Sequence, residues 1–305
     1  MAENANDVIK NKIIKLKQER NAVILAHNYQ LGEVQDIADF VGDSLDLSQR
    51  ASRTKAKIIV FCGVHFMAET AAILSPQKTV LLPDIGAGCP MANMITAEGL
   101  LKMKADYTDA AVVCYVNTSA AVKAESDICC TSANAVSIVS KYSNKKNIIF
   151  IPDQYLGNYV QTKLNKKLIL WPGYCPTHAK IQAEDIISLK KKYPHAKVIV
   201  HPECRPEVIE LADEAMSTGG IIQFAQTTTA TDIIIGTEIG ILHRLKKENP
   251  DKNFIAASKK AICPNMKKIT LEKILWSLEE LSPGIKVSEN IMVRAREAVN
   301  RMLNI

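Results

Sequence analysis

Three cysteines, each followed by proline, divide the chain at nearly equal intervals: Cys89-Pro90, Cys175-Pro176 and Cys263-Pro264, spaced by 86 and 88 residues. Each pair closes a short apolar run: VLLPDIGAGCP, KLILWPGYCP and NFIAASKKAICP. One thiol per interval in an equivalent setting implies a unit used three times, with its sulfurs aimed at a common point. Three thiolates around one point make a metal or cluster site with one coordination position left over, and that open position is where chemistry would happen. Nine residues after each cysteine stands a glutamate (Glu98, Glu184, Glu272), followed by paired aliphatics at Leu100-Leu101, Ile186-Ile187 and Ile274-Leu275. Thr96 and Thr270 sit two before their glutamates, as N-caps do. Each cysteine turn therefore feeds a helix of the same register.

The elements that must position these thiols recur at the same interval. AVILAHNY, AVVCYVN and KVIVHPE are buried-strand runs ending in chemically capable residues: His27, Asn28 and Tyr29; Tyr115 and Asn117; His201 and Glu203. Aligned at Ile24, Val113 and Ile199, they lie 89 and 86 residues apart. Ser44, Ser132 and Ser217-Thr218 come next, each expected to follow one helix and open another. A hydroxyl beside the free N–H groups of a helix start is an anion site. Ile9, Ile13 and Leu16 give a helix over 7–19, and 22–26 reads as a strand. Val34, Ile37, Ala38 and Val41 mark a helix ended by Gly42. Then come the strand KIIVFCG, the helix FMAETAAIL stopped at Ser75-Pro76, and the strand TVLLPD. AAVVCYV, NIIFIP and KLILW repeat the strands in the second interval, and KVIVH, TDIIIG and NFIAA in the third.

Strands this apolar, separated by helices, imply parallel sheets covered on both faces. The expected class is α/β: three α/β/α domains with three layers each. The expected bounds are an N-terminal helix over 1–20 and repeats over 21–95, 96–181 and 182–269. Residues 270–305 would form C-terminal helices packing on the body, with Ser288 as a cap and Ile291, Ala295, Ala298, Met302 and Ile305 on one face. Ligands of open parallel sheets bind beyond the carboxyl ends of the strands, so if the three edges face one another the active site lies at their central junction.

Composition bounds the rest. A 47% hydrophobic content over 305 residues suits sizeable cores, and no stretch reaches the apolar length of a membrane span. MAENANDVIKNK lacks the pattern of an export signal, so the eight cysteines read as reduced thiols in the cytoplasm. The net charge of +6 mildly favours small anionic substrates, and the lysines form no nucleic-acid stripe. Cys62, Cys114, Cys129, Cys130 and Cys204 read as buried small hydrophobes. His65, His178, His195 and His243 lack counterparts across the units, although His178 lies close to Cys175. Structural zinc wants four protein ligands, and an electron-transfer [4Fe–4S] cluster normally has four cysteines. A [4Fe–4S] cluster on three cysteines leaves one iron free as a Lewis acid, which suits dehydration.

AHNYQ, DIADFVGDSL, CGVHFMAETA, GCPMA, CYVNTSA, DICCTSANA, PDQYLGN, WPGYCPTH, HPEC, STGG and the late Cys263 span essentially the whole chain. Through them the sequence resembles the quinolinate synthase family, iron–sulfur enzymes of de novo NAD biosynthesis. The resemblance implies a triangle of three pseudo-threefold-related α/β/α domains around a central [4Fe–4S] cluster held by Cys89, Cys175 and Cys263. The implied reaction condenses iminoaspartate with dihydroxyacetone phosphate, releasing phosphate and two waters as the pyridine ring closes. By motif, His27, Ser44, Tyr115, Asn117, Ser132, His201, Glu203, Ser217 and Thr218 would form the substrate pocket, with Tyr29, His201 and Glu203 as proton carriers. A functional link to an aspartate-oxidising enzyme fits the lability of an imine. Longer family members carry a Cys-x-x-Cys element at the third ligand; here Pro264, Asn265 and Met266 follow Cys263. Two other classes compete. An electron carrier would need a fourth ligand from Cys62, Cys114 or Cys204, and a non-enzymatic anion binder would use the cysteines structurally.

Overall fold

The computed structural model describes residues 5–304; Ile305 and residues 1–4 of the expected terminal helices lie outside them. Helix α1 (Ala5–Glu19) precedes β1 (Ala22–His27), α2 (Gly32–Ile37), β2 (Phe40–Gly42), α3 (Ser44–Arg53), β3 (Ile58–Cys62), α4 (His65–Leu74) and β4 (Thr79–Leu81). A 3-10 turn at Ala92–Met94 leads to α5 (Ala97–Asp106), β5 (Ala111–Tyr115), α6 (Ala120–Ala124), β6 (Ile128–Cys130), α7 (Ala135–Lys141), β7 (Ile148–Ile151), α8 (Gln154–Leu164) and β8 (Ile169–Leu170). A second 3-10 turn, His178–Lys180, leads to α9 (Ala183–Lys192), β9 (Lys197–Val200), α10 (Pro206–Glu210), β10 (Glu214–Ala215), α11 (Thr218–Thr227), β11 (Asp232–Gly236), α12 (Ile241–Glu248) and β12 (Asn253–Ala256). A third, Met266–Lys268, leads to α13 (Leu271–Glu280) and α14 (Glu289–Leu303).

The strands form three four-stranded sheets of one topology, β2-β1-β3-β4, β6-β5-β7-β8 and β10-β9-β11-β12, parallel throughout. The fold class is the one expected, with a fourth strand in each sheet. The fourth is the short edge strand β2, β6 or β10. The helix expected to run to Val41 stops at Ile37, because Ala38 turns extended and Phe40–Gly42 joins the sheet. An aspartate clasps each edge to its central strand. Asp39 Oδ2 accepts the Ile24 amide at 2.8 Å, Asp127 Oδ2 that of Val112 at 2.7 Å and Asp213 Oδ2 that of Val198 at 2.8 Å. Ser44 and Thr218 thus open helices that follow an edge strand, and Ser132 likewise lies just past β6.

Ladder pairing also fixes the repeat. Leu25 pairs with Phe40, Val113 with Ile128 and Ile199 with Glu214. The equivalent residues are therefore Leu25, Val113 and Ile199, spaced by 88 and 86, and the sequence alignment at Ile24 is one residue out. In this register His27, Tyr115 and His201 form one set. Tyr29, Asn117 and Glu203 form a second; Ser44, Ser132 and Thr218 a third. The ten-residue helices α5, α9 and α13 keep the spacing of the cysteines, and Thr96 and Thr270 cap two of them as expected.

The strands are apolar because helices cover both faces: every residue of β3, β5 and β7 is buried. Phe61 and Phe150 fill the interiors at 2% and 0% exposure, and truncating a phenylalanine so placed costs about 3–5 kcal/mol. Helix α13 packs on α1 and β3, returning the chain to the first sheet, while α14 packs on α4, α6 and β6. No helix among the described residues is long and apolar enough to cross a membrane.

Candidate active site

The three cysteine turns share a local geometry. Proline at the next position lacks an N–H, and the 3-10 turn beyond it aims its first amides back at the sulfur. Met91 and Ala92 donate to Cys89, His178 to Cys175, and Asn265 and Met266 to Cys263. The carboxyl ends of β1, β5 and β9 and the starts of α3 and α11 converge with these turns on one cavity. Cys89, Cys175 and Cys263 all line it, together with His27, Tyr29, Ser44, Tyr115, Asn117, Ser132, His201, Glu203 and Thr218. Counting the open solvent at its mouth, it holds about 670 Å³ of atom-free space. Phe66, Met67, Met91 and Met266 supply its apolar wall.

Glu203 is the electrostatic centre. Its Oε1 accepts from Tyr115 Oη at 2.6 Å and Asn117 Nδ2 at 3.3 Å. Its Oε2 lies 2.7 Å from His178 Nδ1 and 3.7 Å from His201 Nδ1. Burial pushes the carboxyl up, but the two imidazoles and the Tyr115 hydroxyl more than offset this and hold it down at about 2. His27 and His201 are pushed down to about 3 by burial, which the Glu203 charge only partly opposes. Their Nδ1 atoms accept the amides of Tyr29 (3.2 Å) and Glu203 (3.3 Å). The proton of each neutral ring therefore sits on Nε2, and His201 Nε2 donates to Ser132 Oγ at 3.1 Å. Tyr29 and Tyr115 are raised well above the usual phenol range, first by burial and then by Glu203, so both are protonated donors.

Some placements differ from the sequence reading. Ser44 does not cap α3; Asp43 does, accepting from Leu45 and Asp46, which leaves the Ser44 hydroxyl to the cavity. Ser217 caps α11, donates to Asp43 Oδ2 at 3.2 Å, and lines an outer cleft instead of the cavity. His178 enters the site, stacked on His201 with ring centroids 4.7 Å apart. Its Nε2 bonds Thr237 Oγ1 at 2.8 Å, and that hydroxyl lies 2.5 Å from Tyr29 Oη. Glu238, at the end of β11, also lines the cavity. The one signal for His178 in the sequence is its place three residues after Cys175; nothing flags Thr237 or Glu238. Cys62, Cys114 and Cys204 are fully buried and lie off the cavity wall, so none of them reaches the three cysteines there.

The site is therefore a buried pocket centred on the ionised Glu203, with three thiols on its wall. Residues 11–304 match the family NadA, quinolinate synthetase A protein. The chain belongs to the quinolinate synthase family. Quinolinate synthases from Dehalococcoides mccartyi (58% identical over 299 residues, 98% of this chain and 99% of the relative), Methanosarcina barkeri (56% over 292, 96% and 96%) and Geobacter metallireducens (54% over 299, 98% and 98%) are similar to it. These quinolinate synthases match it at nearly full length, so the family covers all three sheets and the cavity between them.

The donors fit an iron–sulfur group. Without a cation, burial raises the thiols, Cys89 to about 12 and Cys175 and Cys263 also upward, and a bound metal reverses that cost by taking them as thiolates. Each sulfur already receives backbone N–H donors. Asn117 Oδ1 and His178 Nδ1 are buried on the cavity wall without an aligned hydrogen-bond partner, the 2.7 Å approach to Glu203 being close but not aligned.

Proposed function

We propose that this chain is a quinolinate synthase that condenses iminoaspartate with dihydroxyacetone phosphate, releasing quinolinate, phosphate and two waters. The observation that carries the proposal is the meeting of one cysteine from each repeat, with Glu203 and the tyrosine pair, on a single cavity. Cys89, Cys175 and Cys263 would hold a [4Fe–4S] cluster, which when bound supplies a Lewis-acidic iron for the departure of hydroxide. The ionised Glu203, steadied by Tyr115 and Asn117, takes the proton next to the triose carbonyl. The Tyr29 hydroxyl, backed by Thr237 and His178, returns a proton to a departing oxygen. Nε2–H of His27 and His201, with Ser44, Ser132 and Thr218, holds the carboxylates and phosphate. Ser217 serves one shell further out, through Asp43 and the start of α11. The repeats carrying these parts are taken as 21–95, 96–181 and 182–269, flanked by 1–20 and 270–305. A cytoplasmic setting and close supply from an aspartate-oxidising enzyme suit a labile imine.

Anaerobic reconstitution with iron and sulfide, followed by metal counting and an assay for quinolinate, tests this. Cys89→Ser, Cys175→Ser and Cys263→Ser should each abolish cluster and product; turnover in any of them overturns the assignment. A second reading follows from the compact trio Cys175, His178 and Glu203, whose donor atoms lie within 4.8 Å of one another and could hold a single ion. It requires one metal per chain, no sulfide, and indifference to Cys89→Ser.

A further inference from the structure

We infer that Glu238 is a positioning residue that holds the third cysteine turn by accepting the backbone N–H of Cys263 itself. This rests on the proposed cluster site. Ladder pairs Ala26–Cys62, Cys114–Ile151 and Val200–Gly236 make Val64, Asp153 and Glu238 equivalent, two residues beyond the strand. In all three repeats the next residue ties the chain to the position two before the cysteine: His65 N to Ala87 O at 2.8 Å, Gln154 N to Gly173 O at 2.8 Å, and Ile239 N to Ala261 O at 3.0 Å. A carboxylate adds a second tie in the third: Glu238 Oε1 accepts the Cys263 amide at 3.1 Å. At the equivalent place Asp153 leaves Oδ2 buried without a hydrogen-bond partner, and repeat one has Val64, with no acceptor to offer.

Glu238 is fully buried, which is costly for a carboxylate unless polar partners surround it. Glu238 also takes the Gly240 amide at 2.7 Å and pairs with Lys267 at 3.0 Å, whose ammonium reaches the Tyr29 carbonyl. Fixing the amide fixes the backbone from which the Cβ–Sγ bond projects. Groups that orient metal ligands in this way typically change retention by about 10–100-fold when removed.

The test measures iron release to a chelator from reconstituted wild type, Glu238→Ala and Glu238→Gln, alongside melting of the apo forms. Glu238→Ala should release iron at least about tenfold faster, while Glu238→Gln, which keeps an acceptor oxygen, stays within about threefold of wild type. Wild-type release from Glu238→Ala overturns the inference, as does release from Glu238→Gln as fast as from alanine. Wild type that takes up no iron and sulfide overturns the cluster reading itself, a result distinct from indifferent variants of a loaded protein.

Discussion

In the turn after β1 the Tyr29 amide donates to Nδ1 of His27 at 3.2 Å; in the turn after β9 the Glu203 amide does the same to His201 at 3.3 Å. The backbone, the imidazole tautomer and the burial-lowered basicity are common to both. The side chain two residues past the histidine differs: a protonated phenol in one, an ionised carboxylate in the other. The middle repeat offers Tyr115 and Asn117 at these positions and spends both on Glu203. A repeated scaffold thus supplies placement, and the residues set into its two equivalent positions supply polarity: an acid, a base and the donors that steady the base.

Breaking the carboxylate side of that comparison should have the largest effect. Glu203→Gln keeps the shape and the donors but removes the proton acceptor, so quinolinate turnover should fall by about 10²–10⁴ with iron content unchanged. Turnover near wild type would move the base elsewhere. On the phenol side, Tyr29→Phe removes the hydroxyl 2.5 Å from Thr237 and should lower kcat by about 10² with little change in KM. A rise in KM alone would make Tyr29 a binding group, and the two turns would then differ less than their chemistry implies.

How much of this was legible in the sequence depended on what each segment leaves unpaired. The cysteine spacing and the helices after it could be read, because turns and caps have obligatory residue types. The strand register could not. AVILAH is buried over its last four residues and carries no alternation, so Ile24 and Leu25 look alike until ladder pairing separates them. The edge strands, two or three residues long, are too short to show a period; the aspartates at 39, 127 and 213 that clasp them were the available signal. His178 has Ala92 and Met266 as its repeat equivalents, so self-similarity argued against it, and only the fold brings it to Glu203.

The shared half of the comparison sets a pH dependence. His27 and His201 stand at about 3 in the folded chain against 6.5 unfolded, so between those values the unfolded chain binds more protons. Their contribution is fully present above about pH 6.5 and is lost as pH falls toward 3, by at most about 2 kcal/mol each at pH 5. Glu203, at about 2 against 4.5, acts in the same direction but only below about pH 4.5. The urea midpoint of apo protein should therefore drop between pH 7 and pH 5, and His201→Asn should flatten the drop. An unchanged slope in that variant would mean that burial does not suppress this imidazole.

The smallest effect separates the two kinds of cysteine. Cys62 ends β3 fully buried, one ladder step from Ala26, and burial alone raises its thiol far above the usual range. Cys89 is raised as well, but two backbone N–H groups point at its sulfur, a provision for a thiolate that Cys62 lacks among the influences on its titration. Replacing Cys62 by serine therefore puts a hydroxyl into an apolar interior and should cost about 1–3 kcal/mol of stability. Iron content and turnover should stay within about twofold of wild type, since the cavity wall is untouched. Loss of iron in Cys62→Ser at an unchanged melting temperature would mean that this sulfur reaches the metal. The distinction between cradled and merely buried thiols would then fail.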